Sequence, residues 1–254
     1  GGISNSGVLF EYDYITSIYT VHFFFYGVHG ENPNDRLLQA SNGKLYGTTR
    51  TGWITDDGVL FEYDLITGVY SKKFDFNYSI GSRPMAGLIQ ATNGNLYGTT
   101  SSGGINGDGT IYEFDYTTNV HAIKFSFDVY ANNNGYAPES RLLQASNGQF
   151  YGVTSRGSSN NNFAGCFFEY DETINTITNL ALLNTLNISS QNYGSSLIQA
   201  TNGNIYGILD EGGVAKLGVI FEYDINTNTT QKKIDLYFAE KGSRPLGSLL
   251  LASN

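Results

Sequence analysis

Five glutamates recur in one setting. Glu11, Glu62, Glu113, Glu169 and Glu222 each stand between aromatic residues, in GVLFEYD, GVLFEYD, GTIYEFD, GCFFEYD and GVIFEYD. A ring of carboxylates could hold a cation or line a channel. The flanking aromatics point instead to packed strands, in which each carboxylate bonds a neighbouring backbone group or Tyr hydroxyl. Gln39, Gln90, Gln144 and Gln199 recur in the same rhythm, with Leu251 in the fifth copy, and are expected to fill space and hydrogen-bond. Tyr46, Tyr97, Tyr151 and Tyr206, each followed by Gly, suit packing between repeated units. Catalysis needs one asymmetric constellation, so groups repeated four or five times are poor catalytic candidates.

The remaining chemistry is sparse. His22, His29 and His121 occupy non-equivalent positions without ligand spacing, His121 at a turn, so no metal site is expected. Asp56-Asp57-Gly58 and Asn106-Gly107-Asp108-Gly109 are faintly calcium-like but lack a run of alternating ligands, and read better as turns. Cys166 is alone, takes the place of a strand Val, and reads as a buried thiol. No nucleophile elbow, zincin helix or phosphate loop is present. A net charge of −9 argues against a nucleic-acid partner, and no apolar run reaches the length of a membrane span. No catalytic residue and no cofactor are assigned.

The elements that position these residues follow from the repeats. The GxxFEYD strings begin at Gly7, Gly58, Gly109, Gly165 and Gly218, offsets of 51, 51, 56 and 53 residues. A second string keeps time with them: LLQASNGKLYGTT at Leu37, LIQATNGNLYGTT at Leu88, LLQASNGQFYGVT at Leu142 and LIQATNGNIYGIL at Leu197. Each cycle resolves into four strand-like segments, A to D, bounded by Gly and Asn. Asn-Gly between A and B suits the two positive-φ positions of a tight hairpin, and an Asp followed three residues on by Thr marks a C–D turn. Repeats of this length mean a propeller or a solenoid. Solenoid ends normally carry capping repeats, and neither end here is capped, so a propeller is favoured.

The expected fold is therefore an all-β, five-bladed β-propeller, one domain over residues 1–254. The units run over 37–86, 87–140, 141–195 and 196–247, with a split blade from 1–36 plus 248–254. That split blade lacks its B strand. The missing strand belongs to nine residues outside this sequence, to a longer array of repeats, or to a partner that donates it.

The D–A connections (26–35, 77–86, 128–140, 184–195, 237–247) and the B–C connections (50–57, 101–108, 155–164, 210–217) emerge on one face and carry every change in repeat length. Variable loops on a rigid scaffold are where binding usually resides. The expected ligand residues are Trp53, Asp57, Tyr78, Arg83, Tyr136, Arg156, Asn161, Tyr193 and Arg244, with Asp56, Asp108, Glu211 and Lys216 nearby. Aromatics with Asn, Asp and Arg suit a glycan; the same set suits a protein interface. A polysaccharide-active enzyme ranks third. Residues 178–183 are more apolar than their counterparts, which marks a candidate contact with a neighbouring domain or subunit.

LIQATNGNLYGTTSSGG followed by GTIYEFD resembles the tandem repeats of secreted, surface-anchored bacterial proteins, including Bacteroidota proteins exported by the type IX route and the GloVer choice-of-anchor group. The likeness spans essentially the whole chain. It implies an extracellular or cell-surface setting, and it names no activity.

Overall fold

The structure is a computed structural model that describes residues 1–2, 5–52, 55–130, 135–157, 165–183, 195–237 and 242–252. Twenty strands form five antiparallel sheets, and no α-helix occurs among the described residues. The first sheet is the hairpin β1 (Val8–Asp13) and β2 (Ile18–Phe24). The second holds β3 (Glu31–Pro33), β4 (Leu38–Gln39), β5 (Leu45–Thr51), β6 (Val59–Asp64) and β7 (Val69–Asp75). The third runs β8 (Ile89–Gln90), β9 (Leu96–Thr100), β10 (Thr110–Asp115) and β11 (Val120–Ser126). The fourth holds β12 (Tyr136–Pro138), β13 (Leu143–Gln144), β14 (Phe150–Arg156), β15 (Cys166–Asp171) and β16 (Thr176–Leu182). The fifth runs β17 (Ser195–Gln199), β18 (Ile205–Leu209), β19 (Val219–Asp224) and β20 (Thr229–Asp235). The architecture is propeller-like. Residues 248–252, expected as the A strand of the first sheet, form no strand, so β1 and β2 stand as a pair.

The turns are set by local chemistry. Asp13 Oδ1 accepts from the N–H groups of Ile15 and Thr16, and Asp64, Asp115 and Asp224 do the same in their own turns. The Asn-Gly hairpins differ from expectation. Gly43, Gly94, Gly148 and Gly203 sit at φ of 82–90°, whereas the preceding asparagines are not in the left-handed region. The Gly43 N–H donates to the Ala40 carbonyl, and Ala40 N–H to the Lys44 carbonyl, which makes a type I turn closed by a left-handed glycine. The asparagine works through its side chain: Asn42 Oδ1 accepts from Lys44 N–H, and Asn42 Nδ2 donates to Tyr46 Oη.

The core lies between sheets. Phe61 and Tyr63 pack on Leu9 and Phe25; Tyr112 and Phe114 on Tyr46, Leu60 and Phe76; Phe168 and Tyr170 on Tyr97, Ile111 and Phe127; Phe221 and Tyr223 on Tyr151, Phe167 and Leu183. Leu183 is fully buried, and Leu180 and Ala181 pack on the same cluster, so these apolar residues of segment 178–183 serve the core between the fourth and fifth sheets. His121 lies on β11 rather than in a turn, its ring stacked on Phe74 of the preceding sheet at 4.0 Å between centroids. Phe23 and Tyr70 make the same stack one sheet earlier, at 3.9 Å.

A second device joins the sheets, and the four prolines build it. Asn32, Arg83, Ala137 and Arg244 all have positive φ and each directly precedes a proline. Their N–H groups donate to the carbonyls of Ser6, Asp57, Asp108 and Leu217 in the preceding unit, at 2.6–2.9 Å. Each following proline ring rests on the next glycine of that unit. A Cβ on Gly7, Gly58, Gly109 or Gly218 would lie 2.5–2.9 Å from Cδ of Pro33, Pro84, Pro138 or Pro245. Glycine is required there twice over, by φ of 97–118° and by the ring.

Candidate functional site

The repeated polar residues are structural. Tyr46 Oη donates to Glu62 Oε2 at 2.6 Å, Tyr97 to Glu113 at 2.9 Å, Tyr151 to Glu169 at 2.6 Å and Tyr206 to Glu222 at 2.6 Å. Lys44, Lys124 and Lys233 complete three of these sites. Burial pushes the Glu62 and Glu113 carboxyls up, but donors and cations around them prevail and hold both below the usual range. Lys233, Tyr206 and Asn204 pull Glu222 to about 2. The glutamines join neighbouring sheets: Gln90, Gln144 and Gln199 accept from the N–H groups of Ser41, Thr92 and Ser146 at 2.8 Å and donate to the carbonyls of their own hairpins. Cys166 is buried, and burial pushes its thiol to about 11.

The glutamine-bearing strands surround a cavity of about 520 Å³, lined by residues 36–39, 88–90, 92 and 141–144 of three successive sheets. It shares Arg36, Arg141 and Leu143 with a second cavity of about 470 Å³, lined by the last residues of four D–A connections and by the segments that follow them. Asn34, Met85, Glu139 and Leu246 line this mouth, each immediately after one of the four prolines. Asp35, Arg36 and Arg141 supply further charge. The prolines repeat while the residue after them changes in every unit. A repeated scaffold thus carries an asymmetric lining.

Glu139 is the outlier in this lining. Its Oε2 is shielded from solvent and has no hydrogen-bond partner. Burial pushes its carboxyl up, and Asp210 adds to this, while Ser155, Arg156 and Arg50 pull the other way. Three sequence units therefore converge on one carboxyl. Asp35 is different: Oδ2 accepts from Gly87 N–H at 2.6 Å and ties the approaches to the second and third sheets.

The residues singled out from sequence are dispersed. Trp53, Asn161 and Tyr193 lie outside the described residues. Tyr136 and Arg156 face each other across β12 and β14, with the guanidinium 5.6 Å from the ring centre, and Arg156 also reaches Glu139 electrostatically. Asp57, Arg83 and Arg244 contribute backbone groups to the proline clamps, and the Arg83 and Arg244 side chains are exposed. Tyr78 is exposed on the loop of the third sheet, where its carbonyl accepts from Gly104 N–H. Glu139, Arg141, Arg36, Arg50 and Asp210 were not singled out. The signal that marks the first of them is the residue after each proline, which differs in all four copies of that motif. Among the described residues no group of three His, Cys, Asp or Glu is placed to hold a metal ion.

Comparison with known proteins agrees with this architecture. A family model described as the Gloeobacter/Verrucomicrobia repeat matches residues 1–164. No curated protein matches. Among solved structures, the chain is similar to an extracellular domain from B. thetaiotaomicron, described as part of a one component system, with TM-score 0.61 and 13% identity, covering 95% of this chain and 27% of that one. It is also similar to the periplasmic gluconolactonase PpgL of Pseudomonas aeruginosa (TM-score 0.59, 13% identity, 93% and 66% covered). TolB from Acinetobacter baumannii is a third such structure (TM-score 0.56, 14% identity, 96% and 51% covered). The chain spans between about a quarter and two thirds of these relatives, and at such identities the likeness concerns the fold.

Proposed function

The chain belongs to the Gloeobacter/Verrucomicrobia repeat family, and from that premise we propose that it is an extracellular or periplasmic binding module that holds a carbohydrate at the mouth formed by the D–A connections. The observation that carries this reading is the lining itself: a repeated scaffold whose Asn34, Met85, Glu139 and Leu246 differ at one equivalent position. Arg36, Arg141, Asp35 and Glu139 provide donors and acceptors for hydroxyl groups, while Leu143, Leu197 and Leu246 offer apolar surface to a sugar ring. The location rests on the extracellular and periplasmic neighbours in fold. In this reading the full arrangement is a five-bladed propeller with β1–β2 in its incomplete blade.

A glycan-array screen of the purified chain tests this, followed by the Arg141→Ala variant. Binding to a related set of sugars, weakened at least tenfold in the variant, is the expected result. Silence across the array, or undiminished binding by Arg141→Ala, overturns it. Turnover of a bound polysaccharide that stops in Glu139→Gln would make the site catalytic instead.

A further inference from the structure

β1 presents an edge that its counterparts do not. β6, β10, β15 and β19 are each paired on both sides, whereas among the described residues β1 pairs with β2 alone. β1 and β6 carry the same six residues, VLFEYD. On β6 the second edge is covered by β5, with Tyr46 opposite Glu62, Gly47 opposite Phe61 and Thr48 opposite Leu60. The result is a sealed site: the Glu62 side chain is 8% exposed, Phe61 1% and Tyr63 2%. On β1 the Glu11 side chain is 64% exposed and Phe10 and Tyr12 are each 55% exposed. Glu11 meets His22 Nε2 at 2.9 Å from its own hairpin, as Glu62 meets Lys73 at 3.5 Å, whereas Glu62 has Tyr46 and Lys44 as well.

The four covered edges state what fits. The covering strand always carries Tyr-Gly, its Tyr hydroxyl bonding the glutamate and its glycine lying under the aromatic of the FEYD string. A Cβ on Gly47 would be 2.6 Å from Phe61 Cζ, and Gly98, Gly152 and Gly207 lie as tightly under Tyr112, Phe168 and Phe221. The approach to β1 already has the shape of the completed units. Gly7 N–H donates to the Gly1 carbonyl at 3.0 Å, as Gly109 does to Gly103, and Phe25 N–H donates to Gly7 as Phe76 does to Gly58.

We propose that the free edge of β1 accepts, antiparallel, a Tyr-Gly-x-Thr strand supplied by a further unit of this same repeat, with the Tyr hydroxyl on Glu11 and the glycine beneath Phe10. This is strand addition with a side-chain filter. Backbone pairing supplies affinity, and the aromatic rejects any strand that lacks glycine at that one position.

The test uses a fluorescent synthetic peptide of residues 94–102, titrated with the 254-residue chain and followed by anisotropy and by hydrogen exchange. Saturable binding is expected, with exchange slowed in residues 8–12. The Gly98→Val peptide should not bind, and the Tyr97→Phe peptide should bind about tenfold more weakly, the worth of a hydrogen bond to a carboxylate. Absence of binding, equal binding by Gly98→Val, or slowed exchange confined to other strands would each overturn the proposal. Pairing of β1 with the β1 of a second chain would also overturn it, since neither strand carries Tyr-Gly.

Discussion

The backbone N–H of Arg83 donates to the carbonyl of Asp57 at 2.8 Å, and this bond locks the approach to the third sheet onto the loop before β6. It places Pro84 on Gly58, where a Cβ would meet the proline ring and the Thr49 carbonyl. Gly58→Ala is expected to destabilise the chain by about 1–3 kcal/mol through the left-handed backbone alone, with more from the clash. The urea midpoint measures this. An unchanged midpoint would mean that the clamp does not stabilise the fold.

Tyr46→Phe removes the 2.6 Å donor from the buried carboxylate of Glu62 and also leaves Asn42 Nδ2 without its acceptor. A loss of about 1.5–3 kcal/mol at pH 7 is expected, since the bond is to a charged group. Glu62 titrates below the usual carboxylate range when folded, so its contribution is present above about pH 4.3 and is lost as pH falls through the folded value. The difference between wild type and variant should shrink in acid. A difference that is constant from pH 7 to pH 2.5 would refute the role given to the ion.

His121 supplies a separate window. Burial lowers its pKa from 6.5 to about 4, so the folded chain keeps it neutral while the unfolded chain binds a proton. Stability is fully present above pH 6.5 and is lost as pH falls to about 4, by up to about 3 kcal/mol. His121→Phe keeps the stack on Phe74 and should remove this destabilisation on acidification within that window, leaving the opposite contribution of Glu139 and the acid limb below it. Unfolding at pH 7, 5.5 and 4 distinguishes the two curves.

Glu139→Gln should do the opposite of most substitutions. The folded state disfavours the ionised Glu139, so a penalty absent below about pH 4.3 grows as pH rises to the folded pKa and persists at neutral pH. The amide removes it. The variant is expected to be more stable at pH 7, equal to wild type at pH 4, and weaker in ligand binding. Stability lower at pH 7 would show that Arg50 and Arg156 outweigh burial.

How much of this was legible in the chain depends on distance along it. The strands, the Asp-x-x-Thr turns and the Tyr–Glu pairs rest on alternation and on hydrogen bonds within a few residues or between adjacent strands, and repetition displays each several times. The type of the Asn-Gly turn is not legible in the sequence, because that dipeptide serves two geometries and the one present has a single positive φ. Residues 178–183 look exposed in sequence because their apolar partners, Ile205 and Phe221, come from the next unit.

The amino-acid sequence by itself determined that antiparallel sheets repeat about every 51–56 residues and that the repeated carboxylates are structural. Tertiary structure alone decided where the asymmetry gathers. Glu139, Arg50, Arg156 and Asp210 come from four sequence units and carry no shared spacing, so only the placement of one sheet against another brings their charges within reach. The same holds for β1: its residues match those of β6, and the open edge differs only in what the fold leaves beside it. Local patterns are written in hydrogen bonds between near neighbours, whereas a cavity or an edge is set by packing between sheets, which no short stretch encodes.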